Sequence, residues 1–351
     1  MKKICLFVIC IILVVLAGCS NDSVNQPEYK TEARTVKMDE PIGNVKIIYG
    51  SKMLCSKINK TVVDYMIYDF ETGKSEKIAT VTDFALQGRN RILIGDTAYF
   101  YVRLYDGKNA LYAVNFSKNR MYQVMENTYS LSLAPMICFE DEMYVLQGDN
   151  DNGGVERFIE RISPKGKAKR IEFQHSGNNE ERTIFFIDSD NEFIYTYEES
   201  SVAAYLVRYD SNFSYDSELD ITNVIKEHPL SGGMGSLRVF GNYFVITDVS
   251  GASMLCRYDE NGAEVILFDW EMEHAVNSGE SEHEFFYIRR TNDVYRLTPK
   301  IGDFEKITFE LDNENSVIRY MRIYNENLFI SKIPAENGDK SETWYYFPYE
   351  N

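Results

Sequence analysis

Cationic charge, histidine, cysteine and tryptophan are all scarce in this chain of 351 residues. Lys and Arg number 37 against 54 Asp and Glu, a formal net charge of −17, and so acidic a balance argues against nucleic acid as a partner. The four histidines, His175, His228, His274 and His283, are scattered, with neither HExxH nor His-x-x-x-His spacing, and no CxxC pair occurs. A zinc site built from one short segment is therefore excluded. No Gly-x-Ser-x-Gly nucleophile elbow and no phosphate-binding glycine loop is present, which removes the commonest hydrolase and nucleotide-binding signatures and leaves no catalytic residue to name. Of the six cysteines, Cys5, Cys10 and Cys19 lie at the N-terminus. Cys55, Cys138 and Cys256 remain, each among apolar or aromatic neighbours, and read as small buried hydrophobes rather than a disulfide frame.

The chain has one long apolar run, at its start. Lys2 and Lys3 precede Ile4 to Leu16, which is followed by Ala17-Gly18-Cys19. The run is shorter than the roughly 20 residues a transmembrane helix needs. Small residues before a cysteine make this a lipobox, and the segment resembles the signal peptides of bacterial lipoproteins. The resemblance implies cleavage before Cys19 and a diacylglyceryl group on its sulfur. Residues 1–18 are then signal, and residues 19–30, polar and containing Pro27, are a lipidated cysteine and flexible tether. The expected location is the extracytoplasmic side of the cell membrane, held through the lipid.

Residues 31–351 form one body. Short runs rich in Tyr and Phe (25 and 21 residues) alternate with Gly, Asn, Asp and Ser, without sustained helical periodicity. That is an all-β pattern. One class of turn recurs around Ser51, Asp96, Asp141, Asp190, Asn242, Ser281 and Glu326; a second follows in phase, as at Tyr68-Asp69-Phe70-Glu71-Thr72-Gly73-Lys74 and Tyr258-Asp259-Glu260-Asn261-Gly262. A period of about 40 to 50 residues with four strands per unit indicates a β-propeller. The seventh unit has three strands, Val317 to Ile323, Leu328 to Ile333 and Thr343 to Phe347, and Glu32 to Lys37 can supply the fourth. The expectation is seven four-stranded antiparallel blades closed by an N-terminal strand, with six blades plus an accessory as the alternative and a pair of β-sandwiches after that.

Met66 to Lys74 also resembles the repeat of TolB-like and pyrroloquinoline-quinone-type propellers, in which an Ala-x-Asp-x-x-Thr-Gly-Lys turn joins the third and fourth strands; Ile67 stands in place of the alanine. The resemblance implies the fold. The tryptophan usual in the quinone-type repeat is missing, so the quinone itself is not implied, and no cofactor is expected.

Binding residues are sought in the loops. Asp149 and Asp151, within Gln147 to Gly154, alternate carboxylates before glycines as a calcium loop does, though no bidentate Glu follows. Asp188, Asp190 and Glu192 read as a solvated hairpin tip. The fourth-to-first and second-to-third strand connections of a propeller share one rim, and the longest such connections are read as 222–235, with His228, and 269–280, with Trp270, His274 and Asn277. The leading expectation is a non-catalytic module that binds a protein or small molecule there. An envelope hydrolase or lyase acting on carbohydrate or peptide, and a scaffold of an envelope assembly, are the alternatives.

Overall fold

The computed structural model describes residues 34–38, 47–127, 135–149, 156–171, 182–190, 192–229, 234–248, 253–269, 272–275, 285–290, 293–298, 303–307, 316–324, 327–334 and 342–347. Its first strand is β1 (Arg34–Met38). Then follow β2 (Ile47–Tyr49), β3 (Lys52–Asn59), β4 (Val62–Asp69) and β5 (Lys74–Val81), and β6 (Phe84–Ile94), β7 (Thr97–Leu104), β8 (Asn109–Asn115) and β9 (Arg120–Asn127). The third group is β10 (Met136–Phe139), β11 (Glu142–Asp149), β12 (Glu156–Ile162) and β13 (Ala168–Ile171), and the fourth β14 (Thr183–Ser189), β15 (Ile194–Glu199), β16 (Ala204–Tyr209) and β17 (Tyr215–Asp220). A short helix, α1 (Thr222–Glu227), leads to β18 (Met234–Phe240), β19 (Tyr243–Asp248), β20 (Ser253–Asp259) and β21 (Gly262–Asp269). The last groups are β22 (Met272–Ala275), β23 (Phe285–Arg290), β24 (Asp293–Thr298) and β25 (Asp303–Ile307), and β26 (Ser316–Tyr324), β27 (Asn327–Pro334) and β28 (Glu342–Phe347).

Among the described residues these strands form seven four-stranded antiparallel sheets, six of them up-and-down meanders of consecutive strands. The seventh has the order β1-β28-β27-β26, with Arg34 opposite Tyr346 and Met38 opposite Glu342.

Turn chemistry explains the hairpins. Two residues join β2 to β3 and β6 to β7, and Gly50 and Gly95 take φ of 57° and 56° at the first of them, a conformation that costs glycine no Cβ strain. At the corresponding place between β10 and β11, Glu140 and Asp141 both have positive φ.

Among the described side chains the hydrophobic clusters run between sheets rather than within one. Leu54, Val63 and Tyr65 of the first sheet pack with Phe84, Phe100 and Phe116 of the second. Further clusters join the second to the third, the third to the fourth and the fourth to the fifth. Another joins the first to the seventh: Phe70 lies 5.4 Å from Phe329 and 6.0 Å from Trp344 between ring centroids. Fully burying aromatic side chains such as these stabilises by about 1.5–3 kcal/mol each. The three remaining cysteines are free thiols; Cys55 and Cys256 are buried and Cys138 partly so. Burial raises the Cys138 thiol pKa to about 11 and that of Cys256 to about 12, so both stay protonated at neutral pH.

The expected solvated tip at Asp188 is corrected. Asp188 is 2% exposed and accepts from Arg238 Nη1 at 3.0 Å and from the Val239 amide at 2.7 Å. Asp190 caps its own turn, accepting from the amides of Glu192 and Phe193 and from the Tyr195 hydroxyl.

Candidate functional site

The two ends of the sheets are built differently. At one end lie the first-to-second and third-to-fourth connections, short turns such as 50–51, 95–96, 140–141, 70–73 and 116–119. At the other end lie the second-to-third and fourth-to-first connections, of which 128–135, 150–155, 172–182 and 221–233 are long and 60–61, 82–83 and 270–271 are two residues; at the first end 276–284 is longer than its counterparts. Long connections on a rigid frame are where binding groups concentrate.

A cleft of about 530 Å³ opens at this second end between the first two sheets. Its walls are residues 80–83, the turn Leu104 to Asp106, and Tyr112. The cup is held by backbone: the Tyr105 amide donates to the Asp83 carbonyl at 2.8 Å, and Asp83 itself sits at φ 57°. Thr80 Oγ1 donates to Asp64 Oδ1 at 2.7 Å, fixing one hydroxyl, while Tyr105 stands 65% exposed at the lip. Desolvation raises the Tyr112 phenol, so it stays protonated and can donate or accept at neutral pH. The lining sets the carboxylates of Asp83 and Asp106 and the hydroxyls of Thr80 and Thr82 beside the rings of Tyr105 and Tyr112.

A buried ionic network underlies the same end between the third and fourth sheets. The Arg182 guanidinium, its side chain 4% exposed, donates to both carboxylate oxygens of Glu218, at 2.8 and 3.4 Å, and stacks 3.7 Å over the Tyr205 ring. Burial opposes its charge, but Glu218 and Glu198 more than offset this and its pKa is raised. Glu198, 1% exposed, accepts from Thr196 Oγ1 at 2.7 Å and the Tyr209 hydroxyl at 2.8 Å, with Arg182 at 4.0 Å. Arg157 crosses from the third sheet to donate to the Ile184 carbonyl at 3.0 Å and lies over the Phe185 ring. These charges answer one another, so the network is a buried frame for the rim above it rather than a reactive site. Alternation of Thr196 and Glu198 with apolar residues on β15 was the sequence signal for it. Its partners, Arg182 just before β14 and Glu218 on β17, lie too far along the chain to be paired by reading.

The residues singled out in the sequence do not converge. His228 ends α1, its amide donating to the Val224 carbonyl, and its ring lies 5.4 Å from that of Phe268 on β21. The segment expected as a loop at 222–235 thus begins as a helix, with Val224 and Ile221 buried against the fourth and fifth sheets. The expected loop 269–280 is likewise corrected: 272–275 is the strand β22, where His274 is paired opposite Phe286. The continuous alternation through Phe268 gives no warning of so short a gap between β21 and β22. Trp270, Asn277, Asp151 and Cys19 lie outside the described residues. Asp149 ends β11, opposite Glu156. Among the described residues no three His, Cys, Asp or Glu side chains are grouped to hold a metal ion.

No protein-family model matches the chain, and no curated protein matches it in sequence. Solved structures do resemble it. The crystal structure of the N-terminal domain of Nup159 aligns with a TM-score of 0.52 at 10% identity, covering 92% of this chain and 98% of that one. A chain in the structure of S. cerevisiae Dbp5 bound to Nup159, Gle1, IP6 and ADP aligns with a TM-score of 0.51 at 9% identity, covering 92% and 97%. At such identities the likeness speaks for the fold alone, and together with the four-stranded antiparallel sheets it makes this chain a β-propeller.

Proposed function

We propose that this protein is a lipid-anchored, extracytoplasmic, non-catalytic seven-bladed propeller that binds a partner protein on the rim formed by its second-to-third and fourth-to-first connections. The observation that carries the binding role is that the cleft and most of the long connections lie at one end. The ring reading draws support from β1 completing the seventh sheet and from the aromatic cluster between the first and seventh sheets. The lipobox at Leu16 to Cys19 supports the anchor. Tyr105 at the cleft lip and the His228–Phe268 pair offer a partner aromatic contact area at low entropic cost.

Photo-crosslinking in the native envelope tests this. A photoreactive residue replacing Tyr105 or His228 is expected to trap a discrete partner, and one replacing Glu260, on a turn of the opposite rim, to trap none. Absence of adducts from Tyr105 and His228, or the same adduct from Glu260, refutes the rim reading.

A further inference from the structure

The register of β1 sets the rim at which the chain enters the first strand. β28 is a third strand: its Glu342 end follows the connection from β27, on the rim of long connections, and its Phe347 end lies on the rim of tight turns. Because β1 runs antiparallel with Arg34 opposite Tyr346 and Met38 opposite Glu342, the chain enters β1 on the rim of tight turns. Whatever precedes Arg34 therefore reaches the body from that side. The stretch from Cys19 to Arg34 extends to about 50 Å at most.

On that same rim lies an exception to the chain's acidity. Lys118 and Arg120, at the start of the outer strand of the second sheet, and Lys165 and Lys167, in the turn before β13, are all exposed, and among the described residues none of the four is in an ion pair. Packing places the two pairs on neighbouring sheets. Gly166 sits so close to β9 that a Cβ on it would lie 2.7 Å from the Val124 carbonyl oxygen, which draws Lys165 and Lys167 against the strand that carries Arg120. Tyr122, two residues on, is 40% exposed. Cations beside an exposed tyrosine suit the head-group layer of an anionic membrane. The other turns of this rim carry acid, among them Glu71, Asp96, Glu140, Asp141, Asp190, Glu192, Asp210 and Glu260, so the four cations meet lipid only if the body leans on the outer edges of the second and third sheets and keeps the rest of the rim more than a Debye length, about 8 Å, from the head groups.

We infer that Lys118, Arg120, Lys165 and Lys167 form a docking patch for anionic lipid head groups, which leans the tethered propeller on the outer edges of its second and third sheets at the rim of tight turns and leaves its rim of long connections facing away. The inference rests on the anchored, closed-ring reading above, and it explains how that reading leaves the binding rim free.

The test uses the full-length lipidated protein, extracted from membranes and reconstituted into vesicles of phosphatidylcholine alone or mixed with phosphatidylglycerol. Acetylation of each lysine is followed by mass spectrometry. Lys118, Lys165 and Lys167 are expected to react roughly threefold or more slowly on the anionic vesicles. The protection should vanish at about 0.5 M salt, where the Debye length shrinks to a few Å, and in the variant combining R120E, K165E and K167E it should be lost at Lys118. Lys226, in α1 on the other rim, is expected to react equally on both vesicles. Equal reactivity of Lys118, Lys165 and Lys167 on both vesicles overturns the patch, and protection of Lys226 instead overturns the orientation. Flotation with neutral vesicles reads the anchor separately. If flotation fails, the anchor falls, and lysine protection on anionic vesicles alone then upholds or overturns the patch.

Discussion

Asp188 on β14 takes hydrogen bonds from two donors of the neighbouring β18, the Arg238 guanidinium at 3.0 Å and the Val239 amide at 2.7 Å. One side chain thus joins the first strands of the fourth and fifth sheets. Asp188→Ala orphans a buried amide and is expected to cost about 2–3 kcal/mol in urea unfolding. Arg238→Ala leaves the carboxyl buried, where desolvation raises its pKa. That variant should lose more stability near pH 8 than near pH 5, because the protonated form needs no cation. A loss that does not vary with pH would show that Arg238 acts through packing alone.

Glu160 on β12 is 7% exposed and accepts from Gln147 Nε2 at 2.7 Å; desolvation raises its pKa despite that bond. A carboxyl whose folded pKa is raised holds its proton more tightly in the native state. Its contribution to stability is full below the ordinary carboxyl range and is lost as pH rises through the folded value. Glu160→Gln is therefore expected to raise the melting temperature at neutral pH, with the difference from wild type closing as the pH falls through the carboxyl range. Calorimetry of the two proteins across that range checks it, and a variant less stable at every pH counts against it.

The four-strand rhythm was legible because turns are local. Gly50, Gly95 and Asp69 declare their conformation within a few residues: Asp69 Oδ1 accepts from the amide of Glu71, two residues on. Contacts between sheets were not legible. Asp188 and Val239 are 51 residues apart, and even within the fourth sheet Arg182 and Glu218 are 36 apart, so nothing local in either segment names its partner. Helix α1 was missed because six residues hold too few apolar positions to show a period, and His274 because a four-residue strand beside a turn reads like the turn.

Removing residues 20–30 spares β1, whereas removing 20–40 takes it and bares the edge of β28, whose Trp344 and Tyr345 are buried. Five residue pairs are lost from the ladder. At about 1 kcal/mol for each hydrogen bond, the longer deletion should lower unfolding stability by roughly 3–5 kcal/mol relative to the shorter. Coinciding urea curves for the two would count against closure by β1.

Cys19→Ala removes the sulfur that the anchor reading needs. The variant is expected in the soluble fraction or as a larger unprocessed precursor. Its recovery as a processed, lipid-bearing membrane protein would exclude Cys19 as the acylated residue.

Two glycines separate local strain from packing between sheets. Gly73 and Gly166 both have positive φ, 66° and 80°, so alanine at either pays about 1–2 kcal/mol for the left-handed conformation. Beyond that they differ. A Cβ on Gly73 meets only the Tyr68 hydroxyl at 3.8 Å, but one on Gly166 meets the Val124 carbonyl oxygen at 2.7 Å and Cγ1 at 3.1 Å. Val124 falls where the pairing of β9 with β8 shifts register, and its backbone can yield only by disturbing that ladder. Gly166→Ala is thus expected to cost roughly 1–3 kcal/mol more than Gly73→Ala in urea unfolding, and to loosen the juxtaposition of Lys165 and Lys167 with Arg120. Equal costs would mean that the turn carrying Lys165 and Lys167 does not rest on the second sheet, and the four cations would then lose the contact that gathers them.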